Sequence, residues 1–191
     1  MRYPADKRYT GIVQQELGEN YNVIEEGLRG RTIADENSFF PFRDGSKQFG
    51  PVFGSHLPLD LVVIFLGTND LNSGSSKTIK EIVLGFNNYL KLVSFWSEHL
   101  GFPEPKVLLA GPPQIDEKSS YAILKDIFKG SEEKSKQLHF EIKKYSQEKN
   151  IYFFDTYEII QPSSIDGVHL DEENNRLLGT ALATFIKTLE F

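Results

Sequence analysis

Six consecutive apolar residues, Leu61-Val62-Val63-Ile64-Phe65-Leu66, are stopped by Gly67 and followed at once by Thr68, Asn69 and Asp70. A short apolar run rich in β-branched residues and bounded by glycine reads as a strand buried on both faces, and such strands belong to parallel sheets covered by helices. In open α/β sheets the chemistry collects beyond the carboxyl ends of the strands. The polar trio after Gly67 falls at that position, so Asn69 is a candidate site residue.

A chain of 191 residues is long enough for one domain with a sizeable core. Its formal net charge is −6 and no basic stripe interrupts it, which argues against a nucleic-acid surface. The longest apolar runs are strand-sized, so no membrane-crossing helix is expected. No signal-peptide pattern opens the chain, and a cytoplasmic location is the default expectation. The absence of cysteine excludes disulfides, thiol catalysis and Cys-ligated metal.

Along the chain, Tyr9, Ile12, Val13 and Leu17 recur at helical spacing, and Gly18 follows as a stop. Residues 21–25 (Tyr-Asn-Val-Ile-Glu) read as a short strand leading into a turn with two glycines three apart, Gly27 and Gly30. Residues 33–58 show no sustained period and read as one long ordered loop. After the central strand, Thr78 and Glu81 form a capping box for a long helix whose inner face carries Ile79, Ile82, Val83, Phe86, Leu90 and Val93. Residues 106–110 are a second buried strand and residues 121–128 a short helix. Ser131 opens a charged helix reaching about Lys149, with Leu138, Ile142 and Tyr145 inward. Residues 151–155 form the last strand, and Asp171 caps a final helix lined by Leu177, Leu178, Ala181, Leu182, Phe185, Ile186 and Leu189. The rhythm predicts a single three-layer α/β domain with a mostly parallel sheet. A doubly wound domain ordinarily begins with a strand, whereas this chain begins at a helix.

Asp166-Gly167-Val168-His169 sets a carboxylate and an imidazole three residues apart on one turn, after the last strand. A carboxylate that holds one ring nitrogen orients the ring and stabilises its protonated form, leaving the other nitrogen as a general base. Gly30 can present a backbone N–H, and Asn69 a side-chain amide, to the same anion. Two donors at the carboxyl ends of neighbouring strands suit a developing oxyanion.

These residues resemble the SGNH (GDSL-type) hydrolases. Residues 23–32 (Val-Ile-Glu-Glu-Gly-Leu-Arg-Gly-Arg-Thr) resemble that family's second block, Leu66-Gly67-Thr68-Asn69-Asp70 its third, and Asp166-Gly167-Val168-His169 its fifth. Glu-Glu-Gly-Leu ahead of Gly-Arg-Thr, with Asn174-Asn175-Arg176 in the tail, is most similar to the arylesterase and acyltransferase branch. The resemblance implies a flavodoxin-like sheet and a serine esterase mechanism on small-molecule carboxylic esters, proceeding through an acyl-enzyme. On matching positions it implies His169 as general base, Asp166 as its orienter, Gly30 and Asn69 as oxyanion donors, and Asp70 as a brace for the Asn69 loop. Neither a cofactor nor a metal ion enters such a mechanism.

One block has no counterpart. The family's first block is a strand followed by Gly-Asp-Ser-Leu, whose serine is the nucleophile, and no Gly-Asp-Ser occurs here. Ser46, Ser55, Ser163 and Ser164 lack the strand-to-helix elbow that would position a nucleophile. The expectation is a chain that starts downstream of that block, so that the first strand is missing between residues 21–25 and 61–66. Leaving it out would expose two inner strand edges, and the chain would be poorly stable or pair those strands directly. A non-catalytic relative of the same fold, used for binding or assembly, is the alternative. A flavodoxin-like ligand binder would need a phosphate-cradling glycine-rich first turn, which is not found. Phe39, Phe40, Phe42, Phe49, Phe53, Tyr121 and Phe128 are expected to wall a pocket for an apolar or aromatic substrate part, or else to serve a homo-oligomer contact or the core.

Overall fold

The computed structural model describes residues 3–119 and 122–191. Three parallel strands form its sheet, in the order β1 (Leu61–Ile64), β2 (Lys106–Ala110), β3 (Tyr152–Phe154). Leu61 stands opposite Lys106 and Ile64 opposite Leu109, while Leu108 faces Tyr152 and Ala110 faces Phe154. The central strand shows why the domain has three layers. Val107 and Leu109 belong to one buried cluster, Leu108 and Ala110 to the other, so the two-residue period of β2 feeds both faces of the sheet.

On one face, α1 (Tyr9–Leu17) packs against α7 (Glu172–Ile186) over Leu108, Ala110 and Phe154. Gly179 makes the close approach possible, because a Cβ there would fall 2.7 Å from the Cβ of Ile12. The other face is covered by α2 (Gly45–His56), α3 (Ile79–Leu84), α4 (Phe86–Leu100) and α6 (Glu132–Lys149), with Phe86, Val93, Leu138 and Ile142 fully buried. A short α5 (Ala122–Ile127) precedes α6; Tyr121, expected at its start, lies outside the described residues. Among the described residues no helix is long and apolar enough to cross a membrane.

Most expected elements form where the periodicity put them. Gly18 closes α1 with φ +79°, Asp171 caps α7 by accepting the Asn174 N–H, and Thr78 and Glu81 complete their capping box. The predicted long helix divides at Gly85, where Ala34 packs so closely that a Cβ would sit 2.8 Å from its methyl group.

Three expectations are corrected. Residues 21–25 form no strand, because a strand needs a neighbour to complete its ladder and none flanks them among the described residues. The Gln14 side chain takes their backbone groups instead, donating to Tyr21 O (2.9 Å) and accepting from Val23 N (2.8 Å). The direct pairing expected across the gap is accordingly not made. The run 61–66 is a strand only over Leu61–Ile64, paired on one side, and Val63 is 36% exposed rather than buried on both faces. Finally, the long loop at 33–58 contains α2. Its three glycines and Pro51 hide it from propensity, yet Gly50 and Gly54, one turn apart, form the seat for Trp96.

Candidate active site

Every strand is parallel, so the segments that follow their carboxyl ends gather at one edge of the sheet. After β1, Gly67 leaves the strand with φ +130° and opens a 3₁₀ turn, Thr68–Leu71. Within it the Asn69 backbone carbonyl accepts from Asn72 Nδ2 (2.7 Å), and Asn69 Nδ2 donates to Arg31 O at 3.1 Å. That bond sets Asn69 against the turn that carries Gly30. Gly30 is buried and left-handed, with φ +79°, and its carbonyl accepts from the buried Asn37 side chain at 2.9 Å.

Asp70 is the neighbour that locks the two turns together. Both of its oxygens accept from Ile33 N–H, each at 3.0 Å, and its side chain is buried. Burial pushes its carboxyl up to about 7; the Ile33 amide and Lys77 oppose that rise and Asp35 adds to it.

The Asp166–His169 turn is built around Gly167, at φ +69°, whose N–H donates to Ser163 O at 2.7 Å. Asp166 Oδ1 accepts the Val168 and His169 amides at 3.0 and 2.8 Å, while Oδ2 lies 2.8 Å from His169 Nδ1. Partial burial alone would raise the Asp166 carboxyl. The two amides and the imidazole outweigh it and hold the group below its ordinary range. With Nδ1 turned to the carboxylate, Nε2 is left as the outward nitrogen, on a ring 57% exposed, and it makes no hydrogen bond among the described residues. Val168 anchors the turn in the core.

One backbone tie fastens this turn to the segment after β2, where Asp116 N donates to Gly167 O (2.8 Å). Separately, Ser131 Oγ donates to Leu71 O (2.6 Å), two residues past Asn69. A polar groove of about 310 Å³ runs alongside, bordered by Gln114, Asp116, Glu132, Gln161 and Ser164. The expected residues thus fall into two constellations, Gly30 with Asn69 and Asp166 with His169, at one end of the sheet.

The four serines weighed from sequence take other partners or positions. Ser46 donates to Asp44 Oδ1 at the start of α2, Ser55 to Val52 O within it, Ser163 is buried and accepts from Ile165 N, and Ser164 is exposed on the groove. None meets the His169 ring among the described residues. The expected aromatic wall also splits: Phe49, Phe53 and Phe128 belong to the core, while Phe39 and Phe42 are exposed. Phe40 packs on Gly30 and carries the Arg29 guanidinium 5.6 Å above its ring.

Two features had no sequence signal. Asn37, inside the supposed loop, is 7% exposed and ties Gly30 to its own turn, where its Oδ1 accepts from Phe39 and Phe40 N–H. A second imidazole–carboxylate pair joins His139 Nε2 to Asp155 Oδ1 at 2.9 Å, sixteen residues apart in sequence. It fastens α6 to the end of β3, beneath Gly111, where a Cβ would lie 2.4 Å from the His139 ring.

Residues 3–177 match the GDSL-like lipase/acylhydrolase family. The aryl esterase of M. smegmatis, solved natively and with an inhibitor, is 34% identical, with a TM-score of 0.92 over 100% of this chain and 89% of that one. Est24, a carbohydrate acetylesterase from Sinorhizobium meliloti, is 35% identical with the same TM-score and coverage. A carbohydrate acetylesterase family member from the same organism is 30% identical, with a TM-score of 0.87 over 98% of this chain and 88% of that one. No curated protein matches the chain.

Proposed function

The chain belongs to the GDSL-like lipase/acylhydrolase family, and from that premise we propose that it acts on small-molecule carboxylic esters through an acyl-enzyme. His169 Nε2 takes the proton of an attacking serine hydroxyl as its oxygen bonds to the ester carbonyl carbon, and Asp166 stabilises the imidazolium that results. The carbonyl oxygen becomes an oxyanion, received by Gly30 N–H and by Asn69 Nδ2. One hydrogen of that amide is engaged with Arg31 O and the other remains for the ligand. Collapse of the intermediate expels the alcohol with the proton from His169, and water or a second alcohol then takes the acyl group by the reverse sequence. Asp70 contributes by holding the two donor turns in register.

The observation that carries this reading is the 2.8 Å contact between Asp166 Oδ2 and His169 Nδ1, at the sheet edge where Asn69 meets the Gly30 turn. The attacking serine is none of Ser46, Ser55, Ser163 or Ser164. The test is hydrolysis of a short-chain aryl ester by the 191-residue chain and by the same chain fused ahead of Tyr3 to a strand ending in Gly-Asp-Ser-Leu. Turnover by the fusion, abolished by His169→Ala, is expected; an inert fusion would refute the proposal.

A second reading, a non-catalytic relative used for binding or assembly, is favoured by the lack of any of those four hydroxyls at the His169 ring. Under it, His169→Ala leaves the protein's role intact.

A further inference from the structure

A peptide group is planar and trans, so its C=O and N–H point in opposite directions, and whatever fixes the oxygen also aims the hydrogen. The N–H assigned above to the oxyanion belongs to the peptide joining Arg29 to Gly30, which is trans. Its oxygen, Arg29 O, accepts from Arg43 Nε at 2.8 Å.

Resting on the esterase reading of Gly30, we propose that Arg43 is the positioning residue of the oxyanion site: its guanidinium holds Arg29 O and thereby aims Gly30 N–H at the ester oxygen.

Arg43 is itself immobilised by the features that make it precise as a clamp. Its Nη1 donates to Pro41 O (3.0 Å) and Phe42 O (3.3 Å), and its own carbonyl accepts from Thr32 N and Thr32 Oγ1 at 2.9 and 3.1 Å. The bridge between Thr32 and Asp44 continues that tie on the next residue. Arg43 forms no ion pair with a carboxylate among the described residues, so its charge is directed at carbonyl oxygens. A cation on the oxygen of a peptide also polarises that peptide, which strengthens its N–H as a donor. The next two peptides are pinned in the same manner, Gly30 O by Asn37 and Arg31 O by Asn69. Gly30 therefore sits between two peptides whose oxygens are both held by side chains, with the cation on the one that bears the N–H in question.

The test uses two variants, Arg43→Met, which keeps much of the stem without a donor, and Arg43→Gly, which opens the place of the guanidinium to a soluble replacement. The residual dipolar coupling of the Gly30 N–H, measured on the full chain, reports its orientation without requiring turnover. Reorientation in Arg43→Met is expected, with the His169 resonances unmoved. In the serine-bearing fusion kcat is expected to fall about 10- to 100-fold, less than or equal to the loss of a whole oxyanion donor. KM is expected to stay within about twofold, since the lost interaction is made in the transition state alone. Added ethylguanidinium is expected to restore part of kcat to Arg43→Gly, which a merely structural role would not allow. An unchanged Gly30 orientation in Arg43→Met overturns the proposal. An inert parent fusion refutes the esterase reading instead, and the coupling measurement still decides the role of Arg43.

Discussion

Asp70 grips a single N–H, that of Ile33, with both carboxylate oxygens, each at 3.0 Å. The grip joins segments thirty-seven residues apart in sequence and holds the turn bearing Asn69 against the turn bearing Gly30. Tyr89 reinforces it from the core side, donating its hydroxyl to Ile33 O at 2.6 Å. A carboxylate buried this deeply carries a pH dependence with it.

Burial pushes the Asp70 carboxyl from 3.8 up to about 7, so the folded chain retains a proton that the unfolded chain gives up. The stability linked to this group is fully present below the unfolded value, declines as pH rises, and is gone once pH passes about 7. Above that both states are ionised and the curve is flat. A shift of about three units corresponds to about 4 kcal/mol, a ceiling for the decline. Asp70→Asn keeps one oxygen for Ile33 N–H and removes the titration. Urea unfolding of both proteins at about pH 4, 6 and 8 is expected to show a decline in the parent that is shallower in Asp70→Asn. Parallel curves would mean that Asp70 does not titrate in this window.

Trp96 is the only tryptophan of the chain and rests on Gly50 and Gly54 of α2, where added Cβ atoms would lie 2.9 Å from its ring. Gly54→Ala sets two effects against each other. Alanine is favoured over glycine in a helix by about 1 kcal/mol, whereas forcing a methyl group into a packed contact costs about 1–3 kcal/mol. The ring is large and wedged between helices, so a net destabilisation of about 1 kcal/mol is expected, with a shift in Trp96 fluorescence. A gain in stability would show that Trp96 moves aside.

The same glycines mark the limit of what the residues alone disclose. Periodic apolar faces, capping pairs and glycine stops located α1, β2, α6 and α7 because those elements are determined by their own side chains. Helix α2 went unread, since Gly50 and Gly54 are there for the benefit of Trp96, 46 and 42 residues downstream. Residues 21–25 carry the composition of a strand, but ladder formation is a property of two strands. Asp166 with His169 was legible because both lie on one turn. Asn37 and Arg43 were not, because a hydrogen bond to a backbone oxygen leaves no spacing in a sequence, and the His139–Asp155 pair was not, because its two side chains lie sixteen residues apart on different elements.

Asp166 has two tasks that separate on substitution. Oδ1 organises the backbone by accepting the Val168 and His169 amides, and Oδ2 orients the imidazole. Asp166→Asn retains a carbonyl oxygen for the amides but cannot both accept those N–H groups and receive a proton from Nδ1, so the ring loses its tautomeric preference. In the serine-bearing fusion, kcat is expected to fall about 10²- to 10⁴-fold with the turn still folded. Because the carboxyl lies below its ordinary range, it stays ionised across the acid limb, and the parent's kcat/KM is expected to lose activity there through a single proton that is not the one on Asp166. A two-proton limb, or an Asp166→Asn variant as active as its parent, would remove Asp166 from the mechanism.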